Sequence, residues 1–166
     1  PIPSDWERFR TIDFGFTNPF VCLWVASPTH KYVGEPGKQD RIPIPFEERP
    51  FFIYKEIYRS GRTATEHSED IRKISGREKY RASFADWDAG DRHDLEKEGI
   101  PTIRAQKEVS IGIQALYGAI ADDRVYYLEG SLYERDTTLD SKPQSVIEEF
   151  GGYMRPKGRD GVHNPK

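Results

Sequence analysis

The chain has 166 residues, a formal net charge of −3 and a mean hydropathy of −0.78, which suits one domain with room for a buried core and a heavily solvated surface. No run approaches the ~20 apolar residues of a membrane-spanning helix, and the opening Pro1-Ile2-Pro3-Ser4-Asp5 has no basic stretch leading into an apolar one, so no signal peptide is expected. A lone cysteine, Cys22, excludes an internal disulfide and a cysteine-built metal cage, and the chain reads as intracellular.

In chain order, Phe9 to Asp13 and Phe20 to Val25 are β-rich runs joined by the turn-forming Phe14-Gly15-Phe16-Thr17-Asn18-Pro19. Cys22 lies within the second run and is expected in the core. Pro28, Pro36, Pro43, Pro45 and Pro50 punctuate a charged stretch that reads as a long loop or an irregular hairpin. Phe51 to Tyr58 returns as a strand. Thr63 with Glu66 three residues on has the pattern of a capping box, and the helix it opens runs through Ile71 and Ile74 to end near Gly76. Ala82 to Asp86 is a short strand, Asp88 to Glu98 a polar helix stopped by Gly99, and Pro101 to Ala105 another strand. Ile111, Ala115, Leu116 and Ile120 have helical spacing. Arg124 to Leu128 is the last clear strand, and Pro143 to Phe150 a short helix before a tail with little apolar content.

Three strands followed by strands alternating with helices predict an α/β fold. The expected architecture is an antiparallel meander continued by parallel βα units, one mixed sheet flanked by helices. Functional groups in such a sheet collect beyond the carboxyl ends of the parallel strands. Two acids fall there. Asp13 ends the first strand, with Gly15 allowing close approach just after it, and Asp86 ends Ala82-Ser83-Phe84-Ala85, followed by Asp88 and Asp91. Paired carboxylates repel unless cations separate them, and hard ions such as Mg²⁺ or Mn²⁺ prefer such oxygen ligands. Turn capping by Asp13 and Asp86, and helix capping by Asp88, explain the same spacing equally well.

Negative net charge counts against a phosphate-binding surface, because phosphate contacts need Lys and Arg. The cations are clustered, however. Arg72, Lys73, Arg77, Lys79 and Arg81 share a ten-residue stretch with one acid, Glu78. Lys107 follows a strand that should end near Asp86, and Arg59 and Arg62 follow the third strand. These are the candidate DNA contacts, with the cluster acting as a diffuse field. His30, His67, His93 and His163 stand in polar contexts without zinc-site spacing and are expected to be exposed.

Several stretches, in order, resemble the nuclease domain of bacteriophage large terminase subunits, an RNase H-like fold. Thr11-Ile12-Asp13-Phe14-Gly15-Phe16-Thr17-Asn18-Pro19 resembles its first catalytic strand, and Tyr54 to Thr63 the strand and turn before its first helix. Ala85-Asp86-Trp87-Asp88-Ala89-Gly90-Asp91-Arg92 is similar to the second acidic motif, Lys107 to Gln114 to a later loop and helix, and Ser145 to Tyr153 to a segment near the domain's end. The resemblance implies a two-metal endonuclease cutting concatemeric viral DNA during packaging, with Mg²⁺ or Mn²⁺ on Asp13 and Asp86. Asp88 and Asp160 are the available extra ligands. It further implies double-stranded DNA, an upstream ATPase domain of the same polypeptide, the portal and the small terminase subunit as partners. The setting would be the cytoplasm of an infected bacterium, with no membrane partner.

The family's third acidic ligand lies in an Asp-His followed by Asp-Ala and an aromatic, and no such motif precedes Lys166; nor is there a Gly-Lys-Ser/Thr phosphate loop. Residues 1–166 are therefore expected to form a single nuclease domain, a fragment without the motor and the last helix. Two other classes compete. Asp13 to Asn18 also resembles the phosphate loop of actin-like ATPases and sugar kinases, which need a second such loop and a second domain. A non-catalytic packing module would keep the acids as structural caps and bind no metal.

Overall fold

A computed structural model of the chain describes residues 1–86, 89–106, 108–139 and 143–152. Strand β1 (Glu7–Asp13) turns through residues 14–19 into β2 (Phe20–Ser27), and a protruding hairpin, β3 (His30–Val33) with β4 (Asp40–Pro43), follows. The proline-punctuated stretch thus resolves as an irregular hairpin. It closes with a 3₁₀ turn at Phe46–Glu48 before β5 (Phe51–Arg59). Helix α1 (Ala64–Ser75), strand β6 (Ala82–Ala85), helix α2 (Ala89–Lys97) and strand β7 (Ile103–Arg104) come next. Helix α3 (Val109–Ala121), strand β8 (Val125–Tyr127) and helix α4 (Val146–Gly152) complete the order.

One six-stranded sheet, ordered β7-β6-β1-β2-β5-β8, organises the whole. The first three long strands form the antiparallel meander; β6 and β7 add in parallel beside β1, and β8 in parallel beside β5. This is the mixed sheet, an antiparallel meander continued by parallel strands, that the element order predicts. Every strand of this sheet but β2 runs the same way, so Asp13, Arg59, Ala85 and Arg104 all end at one edge of it.

Packing is one-sided. Ile12, Cys22, Trp24 and Ile57 alternate onto one face and meet Ile71 of α1 and Leu95 of α2, all at 4 % exposure or less. Each such aliphatic side chain contributes roughly 1.5–3 kcal/mol when removed from water. Polar groups at this face find partners: the Trp24 indole N–H donates to Ser75 Oγ at 3.1 Å, and Arg10 Nε donates to Ser83 Oγ at 2.9 Å. Helix α1 starts on a full capping box. Thr63 Oγ1 accepts from the Glu66 N–H at 3.3 Å while Glu66 Oε2 accepts from the Thr63 N–H at 2.8 Å. It stops at Gly76, whose φ of 55° lies in the left-handed region.

The opposite sheet face is much less covered. Thr11 and Phe84 are exposed, and Phe9, Val21 and Leu23 are half-buried. The apolar spacing of α3 does form a helix, but it does not bury the stripe: Ile111, Leu116, Tyr117 and Ile120 all stay exposed. Together with Val146 and Phe150 of α4, the last three line a cleft of about 560 Å³. Among the described residues no helix is long and apolar enough to cross a membrane.

Candidate active site

The site begins with strand alternation. In β1 the side chains of Arg10 and Ile12 point into the core, so Asp13 emerges on the open face. In β6 Ser83 and Ala85 are buried and Asp86, the next residue, is exposed. The parallel register sets Ile12 opposite Ala85, and the Asp86 N–H donates to the Ile12 carbonyl at 3.3 Å. The two acids therefore leave adjacent strands at the same level and on the same face.

The β1–β2 turn is folded tightly behind Asp13. A Cβ on Gly15 would come within 2.4 Å of the Asn18 carbonyl oxygen and 2.6 Å of the Pro19 carbonyl oxygen, so only glycine lets the chain double back here. The turn is also tied to the strand ends beside it, because the Gly61 N–H donates to the Phe16 carbonyl at 2.9 Å.

Electrostatics agree with the topology. Burial pushes the Asp13 carboxyl above the usual carboxylate range, the negative charge of Asp86 pushes it further, and that of Glu149 adds to both. Glu149 is a residue that sequence reasoning missed as part of this site. It arrives from α4, where its carboxylate lies 3.5 Å from the hydroxyl of buried Tyr58. Tyr58 pairs with Val21, which pairs with Asp13, so Glu149 stands over the strand row that carries Asp13. No local pattern signals this, since the contact spans 91 positions.

The other expected residues fare differently. Arg59, at 7 % exposure, turns its guanidinium inward to Glu134, with Asp70 at 3.9 Å. Its guanidinium is thus ion-paired at the strand end. Arg62 keeps more solvent and pairs with Asp70 at 2.9 Å. Asp88, Lys107 and Asp160 lie outside the described residues. Of the basic cluster, Arg72 is engaged by Glu98 and Arg81 by Glu7. Exposure was expected for His67, and here the structure differs: it is 2 % exposed and stacks on Phe20 with ring centroids 3.8 Å apart. The signal was present, because His67 lies four residues before Ile71 on the same face of α1.

Among the described residues no group of three or more His, Cys, Asp or Glu side chains is arranged to hold a metal ion. The donor set at Asp13 and Asp86 nevertheless fits a hard divalent cation. Both are anionic oxygen donors, and every influence resolved on Asp13 opposes its charge. A cation between the acids would relieve that repulsion.

No protein-family model and no curated protein matches the sequence. The folded chain does have structural neighbours. It superposes on the nuclease domain of the SPP1 bacteriophage large terminase, a structure with bound Mn, with a TM-score of 0.61 at 14 % identity, covering 96 % of this chain and 76 % of that one. The P22 large terminase nuclease domain matches with a TM-score of 0.58 at 12 % identity, covering 91 % and 79 %. The fold is that of a large-terminase nuclease domain. The large terminase of a thermophilic bacteriophage gives a TM-score of 0.58 at 19 % identity over 78 % of this chain. The chain spans only about 30 % of that protein's length. At these identities the likeness is one of architecture, and the terminase nuclease fold is what brings Asp13 and Asp86 together here.

Proposed function

We propose that this domain is a divalent-metal-dependent endonuclease that cleaves concatemeric double-stranded phage DNA during genome packaging. One observation carries the reading: two carboxylates, Asp13 and Asp86, leave neighbouring parallel strands side by side on the open face of a terminase nuclease fold. Asp13 and Asp86 would hold Mg²⁺ or Mn²⁺, with Asp88 as a further ligand. Bound ions of this kind supply an activated water and stabilise the leaving oxygen of a phosphodiester.

The chain's own residues do the positioning. Two strand ends fix the acids, and Gly15 permits the tight turn that follows Asp13. Lys107, Arg59 and Arg62 are the proposed phosphate contacts. The wider reading includes the ATPase domain of the same polypeptide, the portal and the small terminase subunit as partners in the bacterial cytoplasm.

Calorimetry with Mn²⁺ tests the core of this. The expected outcome is binding by the unaltered chain, and loss of both binding and plasmid nicking in Asp13→Asn and in Asp86→Asn. Full metal-dependent nicking by Asp13→Asn would refute the assignment. For the DNA contact, removing one phosphate contact should reduce the log–log salt slope of binding by about one unit. An unchanged slope in Lys107→Ala would take Lys107 out of the interface.

A further inference from the structure

The most deeply buried acid among the described residues is not in the site just described. Glu56 sits in the middle of β5 with 0 % exposure, and among the described residues no Lys, Arg or His pairs with it. Carboxylates are almost never fully buried without a partner, so the destination of each of its hydrogen bonds matters.

They all lead to the C-terminal third of the chain. Its Oε2 accepts from the Tyr127 hydroxyl, on β8. Its Oε1 accepts from the backbone N–H of Val146, the first residue of α4, at 2.7 Å. On the main chain, the Glu56 N–H donates to the Ser131 carbonyl at 2.8 Å and its carbonyl accepts from the Tyr133 N–H at 2.9 Å. Leu132 completes an isolated parallel bridge to Glu56. One residue thus joins the sheet to β8, to the 131–133 segment and to the start of α4.

What α4 carries makes this more than a structural tie. Glu149 is one turn along the helix, its own N–H donating to the Ser145 carbonyl at 3.0 Å and its carboxylate facing Tyr58. Helix α4 has only seven residues, too short to hold a conformation by itself, and its exposed Ile147 and Phe150 anchor it poorly. Glu148 also pairs with the exposed Arg135 at 2.7 Å, but between α4 and the sheet the short bond is the one at its first N–H, beside the 3.5 Å approach of Tyr58 to Glu149.

We infer that Glu56 is a positioning residue: its buried carboxylate latches α4 to the sheet and so holds Glu149 over Asp13, where it deepens the negative field seen by a bound cation. The inference rests on the endonuclease reading for its consequence, though not for the latch itself.

Two conservative variants test it, because Glu56→Ala alone could simply fail to fold. Glu56→Gln replaces one acceptor oxygen by an NH2 donor, so the Val146 N–H or the Tyr127 hydroxyl loses its acceptor, and in Tyr127→Phe the carboxylate loses one partner. Amide exchange should report the latch directly: protection at Val146 and Glu149 should fall at least about tenfold in Glu56→Gln while β1 and β2 keep theirs. Tyr127→Phe should show the same pattern more weakly.

Mn²⁺ titration reports the consequence. Glu149→Gln and Glu56→Gln should each weaken affinity by about threefold or more, and the double variant should be no weaker than Glu149→Gln alone, since one residue acts through the other. A uniform acceleration of exchange across the sheet would reduce Glu56 to general stabilisation and overturn the inference. So would unchanged exchange in α4, or additive losses of affinity in the double variant. An unaltered chain that binds no Mn²⁺ would instead sink the endonuclease reading, leaving the exchange data to decide the latch.

Discussion

The ring of His67 is packed flat against Phe20, and neither of its nitrogens has a hydrogen-bond partner among the described residues. Burial holds its pKa down at about 4 from an ordinary 6.5; Arg62 and Arg59 also lower it, while Asp70 and Glu66 pull the other way. The folded state therefore binds this proton less well than the unfolded chain. Its contribution to stability is complete above pH 6.5 and is lost as pH falls through the window towards about 4. The upper bound is about 3 kcal/mol, taking about 1.4 kcal/mol for each tenfold change in proton affinity. Denaturant titrations at several pH values should show the chain weakening across that interval, and His67→Phe, which keeps the stack, should flatten the slope. An identical slope in the variant would mean that other groups cause the acid lability. The polar neighbours Glu66, Ser68 and Glu69 suggest solvent, and only the helix phase shared with Ile71 points inward.

At the scale of elements, the local signals were strong wherever the chain itself supplies the chemistry. Thr63 and Glu66 announced α1 because a capping box is a four-residue device, and it forms as expected. Thr63→Ala should cost about 1 kcal/mol, with the loss seen as a lower denaturation midpoint. No change would mean that burial of Ile71 alone holds the helix start. The strands were legible from apolar and β-branched runs, and with them the places of Asp13 and Asp86, which depend only on where a strand stops. The hairpin at residues 30–43 stayed ambiguous because its side chains are mostly exposed, so no buried alternation marks it. Strand β7 shrank to two residues because an edge strand is limited by its partner, here the short β6. Contacts between elements were not legible. The Glu56–Val146 bond and the Glu149–Tyr58 approach join positions 90 and 91 apart, and no periodicity reports such distances.

For the whole molecule, the decisive property is that the sheet is fully packed on one face, while the other is open around β1 and β6 and covered at β5 by α4. Leu95 and Leu116 make the contrast testable, since both sit on helices and both look like core residues by spacing. Leu95 is fully buried against the face formed by Ile12 and Trp24, whereas Leu116 is 43 % exposed beside the cleft between α3 and α4. Leu95→Ala should destabilise the domain by about 2–5 kcal/mol, the cost of a cavity in a packed core. Leu116→Ala should stay within about 0.5 kcal/mol, as for an ordinary surface position. An apolar dye such as ANS should bind the unaltered chain at the cleft, because an exposed patch of this kind offers it a seat. Leu116→Glu should cut that fluorescence while leaving the thermal midpoint almost unchanged. The opposite result, a large loss of stability in Leu116→Ala with no dye binding in the parent, would mean that α3 packs onto the sheet. The face that carries Asp13 and Asp86 would then be closed, leaving no room for a DNA strand to reach them.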